Sequence, residues 1–146
     1  MRRGLVALLL LGSVVNAAAM TSDEQCLATA LYFEARGESL QGQQAIASVI
    51  FNRVADERFP ATVCAVVKDG GEVPPCQFSW WCDGQSDRPR DTDSFAVITE
   101  RARRWVRKRP RDNSRGALFF HASRQPVPWR RPRQRTAAVG AHIFYR

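Results

Sequence analysis

The chain begins with a segment that fixes the chemistry available to everything after it. Arg2 and Arg3 form a short positive stretch. Leu5 to Val15 form an apolar run broken only by Gly12 and Ser13, and Asn16-Ala17-Ala18-Ala19 supplies small residues of the A-x-A kind. That is the pattern of a cleavable secretory signal, expected over residues 1–19. A retained membrane helix is the competing reading, but a run of roughly 11 residues falls short of the ~20 that cross a hydrocarbon core. Residues 20–146 remain, enough for one hydrophobic core and too few for two. No later stretch can span a membrane, so no transmembrane anchor is expected after cleavage. The mature protein is expected to be periplasmic or secreted.

Export places the cysteines in an oxidising environment. Cys26, Cys64, Cys76 and Cys82 all lie after the leader, and an even count there favours two disulfides. Cys76 with Cys82 would close a short loop and leave Cys26 with Cys64, but the three possible pairings are equal as far as spacing goes. Zinc is the rival use of such residues. The chain has no C-x-x-C pair, and its spacing fits no usual zinc site, so no metal is expected.

Charge is divided along the chain. Residues 20–100 carry 6 Arg/Lys against 13 Asp/Glu, whereas residues 101–146 carry 14 against the single Asp112. A basic surface attracts polyanions, among them nucleic acid, anionic lipid and the carboxylate-rich peptides of peptidoglycan. Export makes nucleic acid an unexpected partner. A solvated arginine-rich face is the plainer reading of the same run.

Capping residues and apolar spacing predict four helices. Ser22 followed by Gln25 reads as a capping box, with Leu27, Ala30 and Leu31 at helical spacing and Gly37 at the end. Ser39 caps a second helix through Ala45, Ile46, Val49, Ile50 and Val54. Pro60 suits the first turn of a short third carrying Val63, Val66 and Val67. Asp93 or Ser94 opens a fourth, with Phe95, Ile98, Ala102 and Trp105 on one face and Pro110 beyond it. Between them, Asp69 to Arg90 holds Gly70-Gly71, Pro74-Pro75, Asp83-Gly84 and Pro89, and reads as an irregular loop. Ala117 to Phe120 and Val139 to Tyr145 read as two short strands flanking a Pro/Arg-rich connection. The expected fold class is α+β, mostly helical, with a small late sheet.

One residue breaks this pattern in a chemically useful way. On the first helix Glu34 lies about 20° from Leu27 and about 60° from Leu31, on the apolar stripe. A carboxylate there is costly unless paired or neutral, and desolvation raises a carboxyl pKa until glutamate becomes a proton donor near neutrality. The alternative is an ion pair with a buried arginine such as Arg53. Glu38 would share the face of Glu34 if the helix continued, but Gly37 ends it. Glu38 therefore stands as a second catalytic candidate, a support for Glu34, or a cap of the next helix. Gln77, Phe78, Ser79 and Trp80, between two cysteines, combine aromatic faces with polar groups, as a carbohydrate subsite does. A disulfide-rich cover over the core is the equal alternative. His121 ends an apolar strand and is a further candidate for the same cleft; His142 has a weaker claim.

Several of these segments together resemble one family. Leu31-Tyr32-Phe33-Glu34-Ala35-Arg36-Gly37-Glu38, Gly42-Gln43 and Asn52-Arg53-Val54 resemble the spore cortex-lytic cell-wall hydrolases. So do Phe59-Pro60, Cys76-Gln77-Phe78-Ser79-Trp80, Ala117 to His121, and Gly140-Ala141-His142-Ile143-Phe144-Tyr145. The likeness runs from about Cys26 to the C-terminus. It implies a lysozyme-like or lytic-transglycosylase-like core acting on peptidoglycan glycan strands, with Glu34 as the acid. The segment carries no separate wall-binding module of the kind that spore-acting members often have, which points to general wall remodelling. The expected reaction is cleavage of the β-1,4 bond between N-acetylmuramic acid and N-acetylglucosamine, as a transglycosylase, with no metal or cofactor. The alternatives are hydrolysis, with Glu38 or Asp83 activating water, and a basic peptidoglycan-binding protein without catalysis.

Overall fold

Helix α1, Ser22–Ala35, is buried on nearly all sides, with Leu27, Ala28, Ala30, Leu31, Tyr32 and Ala35 no more than 2% exposed. A helix apolar all round belongs at the centre, and the other helices wrap it. The computed structural model describes residues 18–129 and 131–146; residues 1–17 of the expected leader lie outside them. Around α1 stand α2 (Leu40–Val54), α3 (Val63–Val67) and α4 (Thr92–Arg107). Helix α4 is the opposite case, with Ile98, Ala102 and Trp105 buried on one face and arginines on the other. No described helix is long and apolar enough to cross a membrane.

Polar side chains lock the helices in place. Thr21 caps α1: Glu24 N–H donates to Thr21 Oγ1 at 3.2 Å and Thr21 N–H donates to Glu24 Oε2 at 3.0 Å. The capping box thus starts one residue before the expected Ser22–Gln25 pair, because a carboxylate is the stronger acceptor at the third helical position. Arg107 Nε, on α4, donates to the buried Glu24 Oε1 at 3.1 Å. Ser39 caps α2 as expected. Thr62 rather than the Pro60 turn opens α3, and Asp91 opens α4 two residues ahead of Asp93.

The sheet has three antiparallel strands in the order β1-β3-β2: β1 is Phe119–Ala122, β2 Arg135–Val139 and β3 His142–Tyr145. This corrects the two-strand expectation. Val139 to Tyr145 is not one strand but the end of a hairpin, turned at Gly140-Ala141, with Val139 opposite His142. Gly140 adopts φ +57°, the left-handed region that suits glycine. The segment Asp69 to Arg90 is irregular as expected, apart from one 3-10 turn at Ser79–Cys82. Disulfides Cys26–Cys64 and Cys76–Cys82 resolve the pairing, the first tying α1 to α3 and the second closing the aromatic loop.

Candidate active site

Two residues of α2 set one wall of a cleft. Asn52 Nδ2 donates to Ala117 O at 3.0 Å and to Asp112 Oδ2 at 3.1 Å, and Arg53 Nε donates to Leu118 O at 2.8 Å. These bonds pin the chain entering β1 against α2, so that Phe120, His121 and Ala122 face the end of α1. The Cys76–Cys82 loop closes the opposite wall. The cavity between holds about 540 Å³. It gathers Glu34 with Gln77, Phe78, Ser79, Trp80 and His121, every one of which the sequence singles out. Phe33, Arg53, Phe120, Gln125 and His142 also line it. Phe33 and Phe120 stand out in sequence only as members of the Leu31–Glu38 and Ala117–His121 segments; Gln125 carries no signal of its own.

Glu34 is the one carboxylate on this lining among the described residues. Burial pushes its pKa up from 4.5 to about 7, and the Trp80 indole and the Arg53 charge offset this only in part. The Trp80 N–H is directed at the carboxyl and has no other partner among the described residues. No ion pair within 4.0 Å joins Glu34 to Arg53, so the salt-bridge alternative does not hold among the described residues. Arg53 is instead ringed by Phe59, Phe78 and Phe119, with its guanidinium carbon 5.2, 5.7 and 5.6 Å from the ring centres. Burial brings its pKa down to about 10, which leaves it charged at neutral pH. Its Nη1, like Trp80 Nε1, is a buried donor with no partner among the described residues. Phe33 stacks on Trp80 with ring centres 5.0 Å apart and planes 16° from parallel, forming a flat apolar shelf beside the carboxyl.

The two histidines differ. His121 Nδ1 lies 2.8 Å from Ala122 O and Nε2 lies 3.0 Å from the Tyr145 hydroxyl. A carbonyl only accepts, so Nδ1 is assigned the proton and Nε2 accepts from Tyr145. His142 lines the cleft with its ring edge-on to Phe120 at 5.6 Å. Behind it, His142 Nδ1 approaches Glu38 Oε1 at 3.4 Å, and burial holds its pKa below the usual histidine value despite that carboxylate.

Glu38 itself stands outside the cleft. Helix α1 ends at Ala35, the chain turns, and the Glu38 carboxylate accepts from Ala141 N–H at 3.3 Å on both oxygens. It lines a different cavity, with Arg36, Gln43 and Arg101. Gly42 and Gly140 leave the room it occupies, since a methyl group on either would run into its side chain. Asp83 ends the 3-10 turn, accepts from Gln85 N–H at 2.8 Å, and is absent from the cleft lining.

The cell wall hydrolase family profile matches residues 37–145. The chain belongs to that family. Glu34 lies just ahead of the matched segment and Glu38 within it. Over 125 residues the chain is 36% identical to the spore cortex-lytic enzyme of Bacillus subtilis, covering 84% of this chain and 37% of that one. The Oceanobacillus iheyensis spore cortex-lytic enzyme is 32% identical over 124 residues, 84% of this chain and 41% of that one. The cell wall hydrolase chain thus spans about two fifths of the length of these curated relatives. Its fold is that of solved SleB catalytic domains, a lysozyme-like lytic transglycosylase fold. The catalytic domain of the germination-specific lytic transglycosylase SleB from Bacillus anthracis superposes with TM-score 0.65 at 30% identity. That match covers 90% of this chain and 100% of that domain. The Bacillus cereus SleB catalytic domain gives 0.62 at 30% identity, over 85% of this chain and 89% of that one.

Proposed function

We propose that this protein cleaves the β-1,4 bond between N-acetylmuramic acid and N-acetylglucosamine in peptidoglycan, as a lytic transglycosylase with Glu34 as its acid and then its base. The observation that carries this reading is a single carboxyl, raised to about 7, beside an aromatic shelf in a cleft of about 540 Å³. Protonated Glu34 gives its proton to the leaving oxygen, and positive charge develops on the muramic anomeric carbon. The 6-hydroxyl of the same sugar attacks that carbon and returns its proton to Glu34. The product is a 1,6-anhydro sugar, and the enzyme ends as it began.

The unpaired Nη1 donor of Arg53 fits an acetamido or hydroxyl oxygen of the sugar. Gln77 and Ser79 orient the same groups, and Phe78 and Trp80 supply the apolar faces. With Glu38 and Asp83 outside the cleft lining, no second carboxylate among the described residues is in place to activate water, which favours transglycosylation over hydrolysis. Glu38 acts here as a positioning residue behind His142 and the hairpin turn. The two disulfides and the leader fit an exported protein acting in the periplasm or outside the cell.

Digestion of purified sacculi, followed by mass spectrometry of the soluble products, tests the reading. Anhydro-muropeptides are expected. Reducing-end products alone would establish hydrolysis instead, and sacculi that bind the protein yet never clarify would leave only a binding role.

A further inference from the structure

The Phe33 side of the cleft has a second face. Phe33 also borders a separate cavity of about 320 Å³, formed with Tyr32, Arg36, Arg88, Arg90 and Asp91. Three arginines line it, in the part of the chain where residues 20–100 hold only 6 basic residues against 13 acidic ones. A scattered solvated surface does not concentrate half of its basic residues in one hollow.

The hollow is also preformed. The Tyr32 hydroxyl accepts the backbone N–H groups of Arg90 at 3.1 Å and Asp91 at 2.9 Å, which fastens the arginine-bearing loop to α1. The Arg36 guanidinium lies 4.8 Å from the centre of the Tyr32 ring, which holds it against the cavity wall. Asp91, the one acid on the lining, is committed elsewhere: it accepts from Ser94 N–H at 3.0 Å and Ser94 Oγ at 2.6 Å. Among the described residues no carboxylate lies within 4.0 Å of Arg36, Arg88 or Arg90.

We propose that this cavity binds the carboxylates of the peptide stem carried by the muramic acid seated against Glu34. The inference rests on the peptidoglycan reading above and adds a requirement for the stem. The stem leaves the same sugar whose anomeric carbon is attacked, and its first free carboxylate belongs to its second residue. Two extended residues reach ~7 Å, and Phe33 lines both the cleft and the cavity. Arginine forks grip carboxylates through paired N–H donors, so planar stem carboxylates suit this lining. Phosphate on wall polymers shares the negative charge and is the other source of anions that the experiment must separate.

Initial rates are measured on three substrates: stem-bearing glycan strands, strands freed of stems by an amidase, and stem-bearing strands freed of phosphate polymers. The wild-type KM for stem-bearing strands is expected to be about tenfold below that for stem-free strands, the worth of one charge-assisted pair. In the Arg88→Ser/Arg90→Ser protein that ratio should fall toward one, and removing phosphate polymers should not alter it. Both arginines are exposed, and the Tyr32 contact uses the backbone, so the double variant retains its fold. A ratio that persists in the variant, whether both KM values stay put or rise together, or that follows the phosphate polymers overturns the proposal. Wild-type protein inactive on all three substrates indicts the glycosidase reading instead. Titration of wild type and variant with a soluble stem tripeptide then decides the cavity alone: tighter binding by wild type supports it, and equal or absent binding refutes it.

Discussion

Glu34→Gln separates the chemistry of the cleft from its stability, with opposite signs. The raised pKa means that folding holds a proton on Glu34 that the unfolded chain releases. The stability this group allows is complete below its ordinary value of 4.5 and is lost as pH rises through about 7. A rise from 4.5 to about 7 corresponds to about 3 kcal/mol between the two limits. Glutamine has the same shape and never ionises, so it escapes that loss. The variant should match wild type below about pH 4 and exceed it by about 3 kcal/mol at about pH 8. At roughly 3–4 °C per kcal/mol for a domain of this size, the Tm difference grows to about 10 °C across that range. Every other titrating group cancels in the difference between the two proteins. Thermal melts of both across that pH range measure it, and a difference that stays flat with pH refutes a desolvated Glu34. The same variant should lose sacculus lysis, and wild-type kcat/KM should fall above about pH 7 as the proton donor is lost.

Two further outcomes follow from named contacts. Replacing Cys26 and Cys64 by serine opens a loop of 38 residues and should cost about 4 kcal/mol by denaturant unfolding, with the native far-UV spectrum retained at low denaturant. Gly140→Ala places a methyl group against the Glu38 carboxylate at a left-handed backbone position and should destabilise by ~1–3 kcal/mol; adding Glu38→Ala should recover part of that loss, and purely additive effects would rule out the contact.

The helices were legible because their signals are local. Ser39 caps α2 where the spacing places it, and the apolar positions of α1 and α4 are those buried in the core. Boundaries slipped where capping residues crowd together. Thr21-Ser22 before Glu24-Gln25, and Asp91 ahead of Asp93-Ser94, each offer two acceptable frames, and the better acceptor or the earlier turn wins only by small margins. Strand β2 was missed because Arg135-Thr136-Ala137-Ala138-Val139 lacks a clear alternation, and its pairing with β3 also shifts between Arg135 and Ala137.

Glu34 and Glu38 mark where a sequence stops being informative. Both are glutamates of one short motif, and helical spacing alone would stack them on one face. For Glu34 much of the deciding information lies within one helix: spacing sets the carboxyl on the face of Leu27 and Leu31, and the Trp80 loop packed beside that face completes the burial that raises its pKa. For Glu38 the deciding facts lie far along the chain. Its carboxylate meets Ala141 N–H and His142 Nδ1 across a sequence separation of about a hundred residues, in room that glycines at 42 and 140 leave open. The motif's second acid is thus tied to its closing Gly140-Ala141-His142 segment, and this contact links two stretches that local reading treats as independent. A side chain that meets its partners only across the fold leaves no periodic mark. It becomes visible only when the hairpin that it supports has folded back onto α1.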